Sequence, residues 1–215
     1  MRALLALLAL LGPASARACE TALLLAIDVS QSVDEAEFRL QVDGMADAMR
    51  DPEVAEALVQ GEVALAVMQW SGAERQEMSI PWTRIASHSD VERLSDAARA
   101  IPRAFVMSDT APGDALAFAL GQFGPVADCE RRVIDVSGDG TPNAGRDVRH
   151  ARIDAQRAGV TINAIAIESL GLAITNFYER AVITADGFVM TARGHRDYPM
   201  AIRRKILREV SRVLG

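Results

Sequence analysis

The sequence predicts an α/β fold: a doubly wound, mostly parallel central sheet of about six strands, one of them an antiparallel edge strand, flanked by helices. Three observations carry that expectation. Five short apolar runs alternate with stretches of helical periodicity, the pattern left by parallel strands joined through crossover helices. The runs are apolar on both faces, as strands sandwiched between helix layers must be. The chain has 215 residues, which suits one domain with a proper core and leaves little room for a second.

The first eighteen residues stand apart from that domain. Arg2 precedes an unbroken apolar run from Ala3 to Leu11, followed by a Pro-containing stretch and Ala16-Arg17-Ala18, the anatomy of a cleaved secretory signal peptide. The run covers roughly half the hydrocarbon core of a bilayer, too little for a retained membrane helix. Cys19 follows a small residue, but Arg17 fits poorly two positions before a lipidated cysteine, so lipidation is not expected. Residues 19–215 are therefore expected as one periplasmic or secreted domain.

Within it, the first apolar run is Ala22 to Asp28. A helix from Val33 to Arg50 follows, with Ser32 and Glu35 as its capping box. Val63 to Gln69 is the second buried run, and Gln76 to Trp82 alternates more and meets Pro81, which suits an edge strand. Ser89 and Glu92 repeat the capping signal before a helix that ends near Pro102. Further helices span Pro112 to Phe123 and Gly145 to Ala158, around a strand from Arg132 to Ser137. The strand Val160 to Ile167, a short helix at Asn176 to Ala181 and a strand Gly187 to Thr191 come next. From Pro199 onward Ile202, Ile206, Val210 and Val213 recur at helical spacing, a closing amphipathic helix.

The formal charge is −6, and −8 without Arg2 and Arg17. Seven basic residues between Arg193 and Arg212 face only Asp197 and Glu209, so the rest of the chain is strongly acidic. That balance argues against nucleic acid as a partner. Arg203, Arg204, Lys205, Arg208 and Arg212 read as a solvated basic face of the last helix, with peripheral contact to anionic lipid headgroups as the lesser alternative.

Doubly wound folds bind ligands outside the carboxyl ends of their strands, where the strand order reverses, and the sequence concentrates oxygen donors there. The first strand ends in Asp28-Val29-Ser30-Gln31-Ser32, delivering a carboxylate and two hydroxyls as the chain leaves the sheet. A second cluster, Asp135-Val136-Ser137-Gly138-Asp139-Gly140, follows another buried run, and Thr110 stands in the polar loop before the helix that opens at Pro112. A hard cation such as Mg2+ takes oxygen ligands and keeps some waters, so a few hydroxyls and one or two carboxylates suffice. Each residue also has a plainer role: Ser32 as a helix cap, Asp28 and Asp139 as turn residues, Thr110 as a loop hydroxyl.

Other chemistry is absent from the sequence. Asp135-x-Ser137-x-Asp139-Gly140 opens like an EF-hand loop, but Arg146 stands where its closing Glu is required. There is no P-loop, dinucleotide fingerprint, nucleophile elbow or His-Glu-x-x-His pair. His88, His150 and His195 are scattered and read as ordinary surface or loop residues, and no general base is evident beside the oxygen donors. Asp135, between Ile134 and Val136, reads as a buried anchor for nearby loop amides.

Asp28, Ser30 and Ser32, then Thr110, then Asp139, in this order, resemble the metal-ion-dependent adhesion site of von Willebrand factor A-like domains, whose motif is Asp-x-Ser-x-Ser, a middle Thr and a later Asp. The resemblance spans nearly the whole of residues 19–215 and is closest to the DUF1194 group of secreted bacterial A-domain proteins of unknown function, with Ile134 to Gly140 the most telling stretch. These domains often carry a Gly shortly before the Thr, where Met107, Ser108 and Asp109 stand here. Asp109 is therefore an additional candidate neighbour of the metal, competing for it or reaching it through water.

The resemblance implies a von Willebrand A fold and a divalent ion, Mg2+ first with Mn2+ or Ca2+ as alternatives. It also implies a binding role in which the ion takes an Asp or Glu of a partner protein. The runner-up is a metal-assisted hydrolase of phosphate or ester substrates. Cys19 lies nine residues before Asp28 and Cys129 ten before Asp139. If strands one and four are parallel neighbours, the two thiols come level at the other end and form a disulfide in an exported protein; the alternative is free or separately paired thiols.

Overall fold

The computed structural model describes residues 19–169 and 171–211. The expected signal peptide, and Arg212 and Val213 of the closing helix, lie outside the described residues. Six strands form one sheet: β1 (Thr21–Asp28), β2 (Ala64–Trp70), β3 (Gln76–Arg84), β4 (Arg131–Gly138), β5 (Thr161–Ile167) and β6 (Val189–Ala192). Their order is β3-β2-β1-β4-β5-β6. Only the β2–β3 pair is antiparallel. The order reverses between β1 and β4, where the register sets Ile27 beside Ser137. Asp28 and Asp139 therefore leave the sheet at neighbouring points.

Every residue of β1 and β2 is buried, the mark of strands covered on both faces. Leu23, Leu25 and Ile27 point into a core shared with Phe38, Met45, Leu94 and Ile202. Leu24 and Ala26 point the other way, toward Leu116, Ala151 and Tyr178. Two helix layers result. α1 (Glu35–Arg50), α2 (Pro52–Gln60), α3 (His88–Arg99) and α7 (Tyr198–Val210) cover one face. α4 (Pro112–Leu120), α5 (Val148–Arg157) and α6 (Ala173–Phe177), with the π turn Tyr178–Val182 that continues it, cover the other.

Several boundaries differ from the sequence reading for identifiable reasons. α1 is capped by Asp34 in a capping box with Glu37, not by Ser32 with Glu35, because the Ser32 hydroxyl is bound to Asp139 instead. Ser87, in extended backbone, caps α3 two residues ahead of Ser89. α2 was not anticipated. Asp51 ends α1 and caps α2, with Pro52 in its first turn. β3 runs through Pro81 to Arg84, with register shifts along β2, as an edge strand permits.

α7 corrects the expected basic face. Lys205 is fully buried, its Nζ 2.6 Å from both Asp135 Oδ1 and Glu209 Oε1. Asp135 thus answers an ammonium, not loop amides. Arg203 binds Asp51 and Glu53 at the start of α2, and the Arg208 guanidinium lies 3.7 Å over the Phe188 ring. Lys205 therefore leaves the expected basic face and Arg203 is tied to α2, while Arg204 and Arg208 stay exposed. Among the described residues no helix is long and apolar enough to cross a membrane.

Candidate metal centre

The loop after β1 is held from three sides. The Ser30 N–H donates to Asp28 Oδ1 at 2.8 Å. Gln41 of α1 donates to the Asp28 carbonyl at 3.1 Å. Arg103 donates one Nη2 to the carbonyls of Val29 and Ser30, at 3.1 and 2.9 Å, and the Gln31 N–H bonds the Ser108 carbonyl. This stitching leaves the side chains of Ser30 and Ser32 free to face the end of β4. The Ser30 and Ser32 hydroxyls lie 3.1 Å apart, and Ser32 Oγ donates to Asp139 Oδ1 at 2.5 Å. Ser30, Ser32 and Asp139 thus form one chain of oxygen atoms.

Asp28 lies at the floor. It is fully buried, and its Oδ2 has no hydrogen-bond partner. Burial first, then the charge of Asp139, raises its pKa to about 7 against the pull of the Ser30 N–H. Gly138 makes the approach possible, since a Cβ there would sit 2.4 Å from the Tyr178 hydroxyl and 3.1 Å from Asp28 Oδ2. Tyr178 is also buried with its hydroxyl unpartnered, and burial together with the Asp28 and Asp139 charges pushes its pKa up.

Thr110 is buried and belongs to the adjoining wall. Its N–H donates to Asn143 Oδ1 at 2.8 Å, its carbonyl accepts from the Asn143 N–H, and its hydroxyl lies beside Gly140. Asp109 is exposed and packs against Gly72. The first and last elements of the motif are therefore bonded together, and Thr110 meets them through the loop after Asp139.

His195 overturns the expectation of an ordinary surface histidine. It is 8% exposed, with Nδ1 3.1 Å from Glu37 Oε1 and Nε2 3.8 Å from Asp139 Oδ2. An imidazole therefore stands beside the oxygen donors, where the sequence offered no base. Nothing local in the sequence marks His195, Glu37, Tyr178 or Arg103 as members of one site, because they come from separate parts of the chain: after β6, in α1, after α6 and between α3 and α4.

The donors suit a hard cation. Among the described residues no three His, Cys, Asp or Glu side chains already form a metal-holding group, so an ion here would rely on hydroxyls and retained water. The orphaned Oδ2 of Asp28 is an acceptor that such an ion would satisfy.

The family described as "Protein of unknown function (DUF1194)" matches residues 18–214. No curated protein matches the sequence. Among solved structures, proximal thread matrix protein 1 from the mussel byssus, in a form with a zinc-occupied MIDAS motif, is 18% identical with a TM-score of 0.64, covering 90% of this chain and 46% of that one. A von Willebrand factor type A protein from Catenulispora acidiphila is 16% identical with a TM-score of 0.63, covering 89% and 43%. The conserved hypothetical protein BatB from Bacteroides thetaiotaomicron is 18% identical with a TM-score of 0.55, covering 88% and 98%. This chain spans less than half the length of the first two. At these identities the likeness establishes a von Willebrand A fold.

Proposed function

The chain belongs to the DUF1194 family, and on that premise we propose that it is an exported binding module in which a divalent cation captures an acidic side chain of a partner protein. The cation would be held by Asp28, Ser30, Ser32, Thr110 and Asp139. The carrying observation is the buried Asp28 carboxylate, with one oxygen orphaned, beside the hydrogen-bonded run Ser30, Ser32 and Asp139. A bound cation supplies an electrophilic position that an incoming carboxylate completes. The chain's own part is to fix the hydroxyls through Arg103 and Gln41 and to keep water from Asp28 by burial. Zinc in the corresponding motif of the mussel protein supports a divalent ion, and Mg2+ is the first candidate for a site of oxygens. The disulfide between Cys19 and Cys129 fits export to the periplasm or beyond.

A protein partner is favoured by the rim. Val106 and Met107, shortly before Thr110, are 64% and 78% exposed, and Met107 holds a positive φ of 53°. Apolar side chains presented on a strained loop next to a polar centre suit contact with another protein surface.

Calorimetry of Mg2+ and Mn2+ binding to residues 19–215 tests the reading. Asp28→Ala is expected to weaken binding by about 100-fold or more, removing roughly 3 kcal/mol; equal heats for both proteins would sink it. The hydrolase reading gains one observation, the imidazole of His195 near Asp139. Metal-dependent turnover of generic phosphoesters, lost in His195→Gln, would put it first.

A further inference from the structure

We infer that His195 is a nitrogen donor to the same cation, so that the site prefers a borderline ion such as Zn2+ over Mg2+. The inference rests on the metal-site reading above and adds a residue and a selectivity that the adhesion motif does not contain.

The geometry builds outward from α1. The capping box fixes the Glu37 carboxylate, because its Oε2 accepts the Asp34 N–H at 2.8 Å while Asp34 accepts the Glu37 N–H in return. The other oxygen, Oε1, faces His195 Nδ1 at 3.1 Å. A carboxylate there accepts from an Nδ1–H, and in the tautomer that carries it Nε2 offers its lone pair. Carboxylate, imidazole and metal in line is the arrangement by which proteins orient a ligating histidine. Gly194, at φ 109°, makes the turn after β6 that sets the ring inward, and Asp197 closes that turn on the Arg193 N–H.

Nε2 itself is buried and has no hydrogen-bond partner, a costly condition unless something else satisfies it. Asp139 Oδ2, at 3.8 Å, is beyond hydrogen-bond reach. Two donors to one ion stand no further apart than the sum of their bonds, about 4.2 Å for zinc with nitrogen and oxygen. The pair is thus too far apart to bond each other and close enough to share a cation. Among the described residues no third carboxylate or imidazole closes on that point, so the Ser32 hydroxyl, on the other oxygen of Asp139, is the neighbouring donor. Replacing one oxygen by imidazole nitrogen moves preference along the series toward zinc and away from magnesium.

The test is long-range proton–nitrogen NMR of the three histidine rings in residues 19–215, titrated with Zn2+. His88 and His150 are exposed, so His88→Gln and His150→Gln assign their signals without disturbing the site. One Nε2, that of His195, is expected to shift on saturation. In parallel calorimetry, His195→Gln is expected to lose roughly 100-fold in Zn2+ affinity, the upper end of what disturbing the ligand surroundings costs, with Mg2+ affinity little changed. Glu37→Gln should fall between wild type and His195→Gln. If Zn2+ binds, Asp28→Ala abolishes that binding and the His195 nitrogen stays unmoved, the inference fails while the metal-site reading stands. If neither ion binds the wild-type chain, both fail.

Discussion

Replacing Lys205 by methionine is expected to cost about 3–5 kcal/mol at neutral pH, the usual penalty for stranding a buried charge. Lys205 is the only lysine in the chain, and its ammonium is the cation shared by Asp135 and Glu209 beneath α7. Glu209 has a second partner, since Asn163 donates to its Oε1 at 2.8 Å, and Asn163 in turn accepts the Phe188 N–H. Asp135 is less well served. The ammonium is close in distance but not aligned, so both carboxylate oxygens lack a hydrogen bond. Without Lys205 the two carboxylates must protonate or the helix must lift. Adding Asp135→Asn and Glu209→Gln to Lys205→Met should recover a large part of the loss, because no charge then stays buried. Urea unfolding of the three proteins decides the matter; a loss below about 1 kcal/mol for Lys205→Met, the range of exposed pairs, would refute it.

The same cluster gives stability a pH dependence. Burial, with the Glu209 charge adding and Lys205 opposing, raises the Asp135 pKa from 3.8 to about 7. Between those values the folded chain keeps a proton that the unfolded chain has released. The Asp135 contribution is therefore full at the acidic end, declines as pH rises through the window and is level above it. The stability of wild type minus that of Asp135→Asn should show this decline. Asp28 titrates in a similar range, but it is present in both proteins and cancels in the difference. A difference that is flat or rises from pH 4 to 7 would contradict the assignment.

The sequence made the sheet legible because buried parallel strands are apolar throughout, and runs such as Ala22 to Asp28 have no other home. The members of the motif that share a strand end were legible for the same reason: Asp28, Ser30 and Ser32 are tied together by local spacing, and Asp139 by its place after the next buried strand. Helix caps were less legible, since Ser32 could serve either α1 or Asp139, and only tertiary structure shows that Asp34 takes the cap. His195 was misread because the histidines are scattered in the sequence and nothing local names Glu37 or Asp139 as its neighbours, and Lys205 because periodicity assigns a residue to a face without naming the polar group on the opposite element. Lys205 follows Ile202 by three residues, inside the buried stripe, and the carboxylates of Asp135 on β4 and Glu209 on α7 make that position tenable.

Opening the Cys19–Cys129 bridge, as Cys19→Ser with Cys129→Ser, is expected to lower stability by about 4–5 kcal/mol in the chain-entropy account. The bridge spans 110 residues of sequence, so the unfolded chain gains a great deal of freedom when it is lost. In the folded chain the bridge closes the lower end of the β1–β4 pair: the Glu130 N–H bonds the Cys19 carbonyl, and Thr21 pairs with Arg131. Asp28 and Asp139 leave the same two strands at the other end. The pairing from Leu23 with Val133 to Ile27 with Ser137 intervenes and does not depend on the bridge. The double variant should therefore unfold at a lower denaturant concentration yet bind divalent ions nearly as wild type does wherever it is folded. Loss of ion binding without loss of fold would show that the bridge sets the spacing of the site as well as the stability of the chain.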